Sequence, residues 1–165
     1  MIRNAYQVAV TEDLGQQAAA PADVAAGEDH IAPAPRVSVQ AFCETVETAA
    51  AVQAAGEDRR LAKAHVKIQM GGMTAAIEAY RASATPNVII IEAEHRAEEI
   101  LGGLDQLAEV CDAGTRVIVV GRVNDVTLYR ELTRRGVSDY LIAPVGTIDV
   151  VRSICGLYSA PDAKP

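Results

Sequence analysis

Two continuous apolar runs constrain the fold of this chain more than any other feature. They read NVIIIEA at 87–93 and RVIVVG at 116–121, and both are rich in β-branched residues. A strand that is apolar on both sides is covered on both sides, as in parallel sheets with helices on each face. The rest of the chain must therefore supply helices for both faces of a sheet.

Further strand patterns and helical patterns alternate with these two runs. The strands are RVSVQAF, HVKIQM and DYLIAPV, and a helical pattern follows each of the five strands. Five strand–helix units predict an α/β fold, a doubly wound five-stranded parallel sheet of flavodoxin-like order 2-1-3-4-5. In such a sheet the functional crevice lies at the carboxyl ends of the strands.

The apolar periodicity of each helix predicts which side packs against the sheet. The first helix, which we expect to continue to about residue 62, would pack through Val46, Ala49, Ala50 and Gln53. The second helix would pack through Met73, Ala76, Ile77 and Tyr80, and the third through Ile100, Leu104, Leu107 and Cys111. The fourth would pack through Val126, Tyr129 and Leu132, and the fifth through Ile148, Val151, Ile154 and Leu157. Gly102 and Gly103 lie inside the third helix and indicate either a close approach by another element or subunit, or a weak, kinked helix.

The charge of the chain divides it into a tail and a domain. Residues 1–35 hold one arginine against five acidic residues and are rich in alanine and proline. Such a segment cannot bury enough apolar surface to offset its ordering entropy, so we expect a disordered tail at 1–35 and one domain at 36–158. The net charge of −7 argues against a nucleic-acid partner.

The cysteines and the hydropathy of the chain place it in a reducing compartment. The three cysteines have neither CxxC nor Cys/His spacing, so we expect small buried side chains and no disulfide framework or metal site. The sequence shows no apolar run long enough for a membrane helix and no signal peptide. These features predict a cytoplasmic protein without a transmembrane segment.

The residues at the carboxyl ends of four predicted strands are the candidates for lining the crevice. The first strand ends at Cys43 and Glu44, the third at Glu92, the fourth at Gly121 and the fifth at Ala143. We expect these five residues to meet at one edge of the sheet.

Over residues 36–158 the chain resembles the receiver domains of two-component response regulators. DYLIAPV resembles the Asp-Tyr-Leu-x-Lys-Pro signature of receivers. The resemblance implies an aspartate phosphoacceptor after the third strand, an acidic pair for Mg²⁺ after the first, a hydroxyl residue after the fourth and a lysine before the proline.

Compared position by position, the receiver chemistry is lost. Glu92 stands at the phosphoacceptor position, Gly121 replaces the hydroxyl residue, and Ala143 replaces the lysine. Of the acidic pair only Glu44 is plausible, beside Cys43. Magnesium needs clustered carboxylates and a phosphoryl group needs cationic partners, so we expect no catalytic residue, no metal and no cofactor.

Tyr140 corresponds to the aromatic residue that receivers use in switching. It is either such a switch residue or, with nothing left to respond to, an ordinary packed tyrosine.

A second resemblance covers most of the same region. The stretches VSVQAFCET, HVKIQMGGMTAAIEAY and LAEVCDAGTRVIVVGRVNDVTLYRELTRRGVSDYLIAPV resemble the amino-terminal part of CpaE/TadZ-type pilus assembly proteins. This resemblance implies a degenerate receiver that precedes an ATPase domain, in proteins that assemble and localise Flp/Tad type IVb pili at the cell pole, on the inner face of the membrane. We expect residues 159–165 to begin the linker to that ATPase, which alone would bind ATP.

The sequence thus predicts a non-enzymatic pseudo-receiver that acts through protein–protein contacts with pilus or polar proteins. The alternative is a receiver regulated by phosphorylation. Since receivers commonly pair through the fourth helix and the fifth strand and helix, we expect a homodimer. Its interface would contain Tyr129, Arg130, Arg134, Arg135, Asp139 and Asp149.

Overall fold

The computed structural model describes residues 30–159. The sheet consists of β1 (Ser38–Cys43), β2 (His65–Met70), β3 (Val88–Ala93), β4 (Arg116–Gly121) and β5 (Asp139–Ile142). The helices are α1 (Val46–Gly56), α2 (Gly72–Tyr80), α3 (Ala97–Ala108), α4 (Val126–Arg134) and α5 (Thr147–Ser159). A short 3₁₀ turn, Arg59–Leu61, lies between α1 and β2.

The five strands form one parallel sheet in the order β2-β1-β3-β4-β5, which confirms the predicted fold. All six residues of the central strand β3 are buried. The edge strand β2 contains no buried residue, as expected for a strand with one neighbour. The apolar run at 87–93 therefore forms the centre of the sheet, where β3 is covered by helices on both faces and has a strand on each side.

Residues of β3 alternate between two packed layers. Ile89, Ile91 and Ala93 join the core formed with α2, α3 and α4. Since successive strand residues point to opposite faces, Val88, Ile90 and Glu92 face the other layer. That layer contains α1 and α5, whose buried residues include Val52, Ala55, Val151 and Ile154. Glu92 is thus directed towards α1.

The predicted packing side of α1 is wrong, and so is its length. Val46 is 75 % exposed, and the buried residues of this helix are Thr48, Ala51, Val52 and Ala55. Much of this helix is alanine, so its sequence distinguishes poorly between a buried and an exposed side. A polar residue, Thr48, takes a core position. The helix ends at Gly56 rather than near residue 62, and the 3₁₀ turn Arg59–Leu61 follows.

The predicted stripe of α4 is also wrong in two of its three residues. Val126 and Tyr129 are 67 % and 53 % exposed, whereas Leu128 and Leu132 are buried. Leucines four residues apart lie on one helical face, and that face meets the sheet. The side chains of Val126 and Tyr129 are consequently left on the outer surface of α4. By contrast, the predicted stripe of α2 is buried as expected, at Met73, Ala76, Ile77 and Tyr80.

The segment that precedes β1 and the end of α5 are both tied to the rest of the domain. The backbone N–H of Ala34 donates to the carbonyl of Arg60 at 2.9 Å, and Ala34 is buried. At the other end Arg116 donates to the carbonyl of Leu157 at 2.8 Å and stacks over the ring of Tyr158. The greater part of the predicted tail, residues 1–29, and all but the first residue of the predicted linker lie outside the described residues.

The three cysteines are free thiols, Cys43 and Cys155 buried and Cys111 partly buried. Among residues 30–159, the structure contains no helix with the length and hydropathy needed to cross a membrane.

Candidate functional site

The sheet brings the predicted crevice residues together at the carboxyl ends of β1, β3, β4 and β5. Within the sheet Glu92 pairs with Val120, and Gly121 pairs with Ala93 and Ile142. The N–H of Ala143 donates to the carbonyl of Gly121 at 2.7 Å, immediately before a cis Ala143–Pro144 bond.

The carboxylate of Glu92 lies at the centre of this edge and has no contact with solvent. Its Oε1 accepts hydrogen bonds from the backbone N–H groups of Glu44 at 2.6 Å and Thr45 at 2.9 Å. Its Oε2 accepts from the hydroxyl groups of Thr45 at 2.8 Å and Thr48 at 2.9 Å. All four donors belong to the β1–α1 connection and the first turn of α1.

The local sequence of α1 explains why these donors converge. Thr45 is the N-cap residue, in an extended conformation, and its Oγ1 accepts from the N–H of Thr48 at 3.3 Å. A helix amino terminus presents unpaired N–H groups and a positive dipole end, both of which favour a carboxylate. Sequence reasoning missed Thr45 and Thr48; the Thr-x-x-Thr spacing at a helix start was the available signal.

Glu92 is ionised in this environment. Burial is the largest influence and raises its pKa, but the hydrogen bonds from Glu44, Thr45 and Thr48 together outweigh it and hold the pKa below its usual value. Burial, with the neighbouring Glu92 charge, raises the pKa of the Cys43 thiol to about 11. The position beside Glu44 is therefore a neutral thiol that adds no negative charge for a cation.

Two side-chain contacts join the loops at this edge of the sheet. His95 Nε2 lies 3.2 Å from Glu44 Oε2, and Arg122 Nε lies 2.7 Å from Glu94 Oε2. Each pair joins the β3–α3 loop to a neighbouring loop. The Glu44 side chain also lies against Gly72, where a Cβ would collide with it. Glu44 is thus directed towards His95 and α2 and makes no hydrogen bond with Glu92 through its side chain.

Tyr140 fills the space that a side chain on Gly121 would need. A Cβ at Gly121 would lie 2.6 Å from Tyr140 Oη. The phenol donates a 2.6 Å hydrogen bond to the carbonyl of Val123, and its ring joins the core beside α4. The inward position of Tyr140 is therefore possible only because residue 121 at the end of β4 has no side chain.

Ala143 is 9 % exposed and leaves only a methyl group at the end of β5. Arg122 follows Gly121 and is engaged by Glu94. Within residues 30–159 no three His, Cys, Asp or Glu side chains are grouped as metal ligands. Taken together, the edge holds one buried carboxylate whose oxygens are already hydrogen-bonded, beside the His95–Glu44 contact and the Arg122–Glu94 ion pair.

The predicted interface residues lie on α4, β5 and α5, and most are already paired within the chain. Arg134 and Arg135 both contact Glu131, at 2.7 and 2.8 Å, and Arg135 also contacts Asp105 at 3.0 Å. Asp139 accepts from Ser153 at 2.6 Å. Asp149 accepts from the N–H of Gly146 at 2.8 Å. Tyr129 and Arg130 remain exposed on α4.

Comparison with known proteins identifies relatives among solved structures. The chain is 44% identical to a pilus assembly protein CpaE from Caulobacter crescentus CB15, covering 79% of this chain and 100% of that one, with a TM-score of 0.76. It is 40% identical to a CpaE2 pilus assembly protein from Sinorhizobium meliloti 1021, covering 72% and 99%, with a TM-score of 0.70.

A response regulator from Thermotoga maritima shares the fold, at 20% identity and a TM-score of 0.60, covering 77% of this chain and 99% of that one. No family model matches the chain, and no curated protein matches it.

Proposed function

Because the chain belongs to the CpaE family of pilus assembly proteins, we propose that it is a pseudo-receiver, a receiver-like domain that binds other proteins and transfers no phosphoryl group. In this proposal the domain serves pilus assembly in the cytoplasm, at the cell pole. It acts beside an ATPase domain, the only part that binds ATP.

The observation that carries the proposal is the state of the Glu92 carboxylate. A phosphoacceptor must expose an oxygen to the phosphodonor, and a Mg²⁺ site must offer carboxylate oxygens that have free lone pairs. Both oxygens of Glu92 are buried and each accepts two hydrogen bonds from the start of α1. Glu92 therefore stabilises the β1–α1 connection and is withheld from phosphoryl chemistry.

The test is exposure to acetyl phosphate with Mg²⁺, followed by intact mass measurement. We expect no stable adduct, because the carboxylate at the acceptor position, Glu92, is buried and alanine stands at position 143 in place of the lysine. A working receiver domain treated in parallel is the positive control. A phosphoryl adduct that disappears in Glu92→Gln would overturn the proposal and favour a receiver regulated by phosphorylation.

The proposal includes self-association through the outer surface of α4 and β5. Val126, Tyr129 and Ile142 are exposed there by 67 %, 53 % and 40 %. Exposed apolar side chains of this size, beside charges of both signs, suit a patch that faces its own copy across a two-fold axis. With no phosphoryl group to gate this surface, the association would not depend on phosphorylation.

Polar placement is tested in cells. A fluorescent fusion of the full-length protein is expected at one pole, and a Tyr129→Glu variant, which places a charge in the surface of α4, is expected to lose that focus. Wild-type fluorescence spread evenly through the cell would contradict the polar role while leaving the phosphoryl-transfer result unaffected.

A further inference from the structure

A groove of about 430 Å³ runs between α2 and α3, on the sheet face opposite α1 and α5. From α2 it is lined by Met73, Thr74 and Ile77, and from α3 by Glu99, Gly102 and Gln106. The α3 residues follow a spacing of three and four, so they form one face of that helix. The groove lies away from the α4–β5 surface.

The two glycines of α3 shape this groove in different ways. A Cβ at Gly103 would lie 2.7 Å from Met73 Cγ, so Gly103 permits the close packing of α3 on α2. A Cβ at Gly102 would meet nothing within 4 Å. An exposed glycine inside a helix is unfavourable compared with alanine, and at Gly102 no neighbour in the described chain requires it. Its effect is to leave the groove open to the backbone of another element.

The charges around the groove favour a basic partner. α3 carries Glu98 and Glu99 in its first turn and no basic residue; its third acidic residue, Asp105, is paired with Arg135 outside the groove. At the upper end of the groove His95 lies between Glu44 and Glu99, at 3.2 and 3.6 Å. The floor contributed by Met73 and Ile77 is apolar. Apolar contacts at the floor and acidic side chains above it match a helix with a small or apolar face and a basic flank.

A second copy of this chain does not fit the groove. A two-fold interface would bring the α3 helices of both copies together, because the same patch occupies both sides. Each α3 carries Glu98 and Glu99 and no basic residue, so two such acidic helices would lie side by side without a basic partner for either, and like charges across an interface are repulsive.

We propose that the α2–α3 groove binds a basic amphipathic helix of another protein. That helix places a small or apolar residue over Gly102 and directs lysine or arginine towards Glu99 and Glu44. A helix of about three turns matches the length of α2 and α3. This inference rests on the proposed role as a binding module and adds the site and the chemistry of its partner.

The test uses a synthetic helical peptide with leucine and alanine on one face and lysine on the other. A second peptide carries glutamate in place of lysine. With the ¹⁵N-labelled chain of 165 residues, we expect the lysine peptide to shift the amide signals of Thr74, Gly102 and Gln106. The glutamate peptide should shift none of them. Since the attraction is between exposed charges, binding should weaken as salt is added.

Two variants separate groove binding from general effects. Gly102→Leu fills the open space and favours the helix, so the fold is retained while binding falls about tenfold. Gly156→Leu is the matched control, because Gly156 is also exposed in a helix, α5, with open space around its Cβ. Glu99→Lys should weaken the binding of the lysine peptide and strengthen the binding of the glutamate peptide.

Equal losses in Gly102→Leu and Gly156→Leu would overturn the proposal, as would amide shifts confined to α4 and β5. A Gly102→Leu variant that changes the oligomeric state of the chain alone would assign the groove to a second copy instead. None of these measurements includes a phosphodonor. Their failure is therefore distinct from the appearance of a phosphoryl adduct, which tests the proposed function.

Discussion

Thr48 Oγ1, in the first turn of α1, donates a 2.9 Å hydrogen bond to the buried carboxylate of Glu92 at the end of β3. The bond joins two layers of the fold through a buried polar pair. Buried charges are stable only when hydrogen-bonded or paired, and here four donors supply that stabilisation.

Replacing Glu92 by glutamine is expected to lower the free energy of unfolding by about 2–4 kcal/mol at pH 7. The amide accepts through one oxygen only, and its NH₂ group faces donors from Glu44, Thr45 or Thr48. Urea unfolding followed by circular dichroism measures the loss. Glu98→Gln, on an exposed side chain, is the control and should change stability by less than about 0.5 kcal/mol. Equal free energies of unfolding for the two variants would show that the hydrogen bonds of Glu92 to the start of α1 do not stabilise the fold.

The pH dependence of stability should carry the signature of Glu92. Its folded pKa lies below the unfolded value of 4.5, so its stabilisation is complete above that value and is lost as the pH falls through the folded pKa. Wild type should therefore destabilise more steeply below pH 4.5 than Glu92→Gln. Urea midpoints between pH 3 and 7 check this. Parallel pH profiles for the two proteins would contradict a lowered pKa of Glu92 in the folded state.

Gly121→Thr restores the hydroxyl residue at the end of β4 and should displace Tyr140. The new Cβ would begin 2.6 Å from Tyr140 Oη, so the ring must leave its hydrogen bond with Val123. Overpacking of this kind costs about 1–3 kcal/mol. Adding Tyr140→Ala to the variant should relieve the clash, so the two substitutions will be non-additive in unfolding measurements. Simple additivity would mean that the two residues do not compete for one space.

Ala143→Lys restores the lysine that precedes the cis proline. We expect the fold to survive, since a lysine at this edge can extend its ammonium group to solvent. We expect no phosphorylation by acetyl phosphate with Mg²⁺, because Glu92 remains buried and hydrogen-bonded. Ala62→Lys, at an exposed position, is the control for added charge. A phosphoryl adduct found only in Ala143→Lys would show that the lysine was the one missing part.

Self-association is expected to be weak to moderate and to need neither Mg²⁺ nor a phosphodonor. Light scattering over a concentration series measures it. Reversal at Arg135 is a poor probe because that side chain pairs with Asp105 and Glu131, so the loss of those pairs would be mixed with any effect on the dimer. Tyr129→Glu and Arg130→Glu are sharper, since both side chains are exposed on α4.

Lys67→Glu, on the opposite edge strand β2, is the control for charge reversal and should leave the dimer unchanged. A monomer at every concentration would exclude the dimer. A dimer unaffected by either α4 variant would place its interface elsewhere.

Sequence reasoning predicted the architecture because the relevant signals are local. The buried run in β3 indicates a strand covered on both faces, and the stripe from Met73 to Tyr80 indicates a helix packed on one of them. It failed for α1, where alanines give no contrast, and for α4, where Tyr129 fits an apolar stripe that the sheet does not cover. Periodicity describes a helix, whereas the packing partner selects its buried face.

By itself, the sequence determined that five strands alternate with five helices, because apolar periodicity carries that signal. The resemblance to receivers then implied which residues are missing at Gly121 and Ala143. The tertiary structure decided what replaced them. The donors to Glu92 come from residues at least 44 positions earlier in the chain, and Tyr140 fills the space beside Gly121 from the neighbouring strand. Such contacts depend on distance in space, which the folded sheet alone establishes.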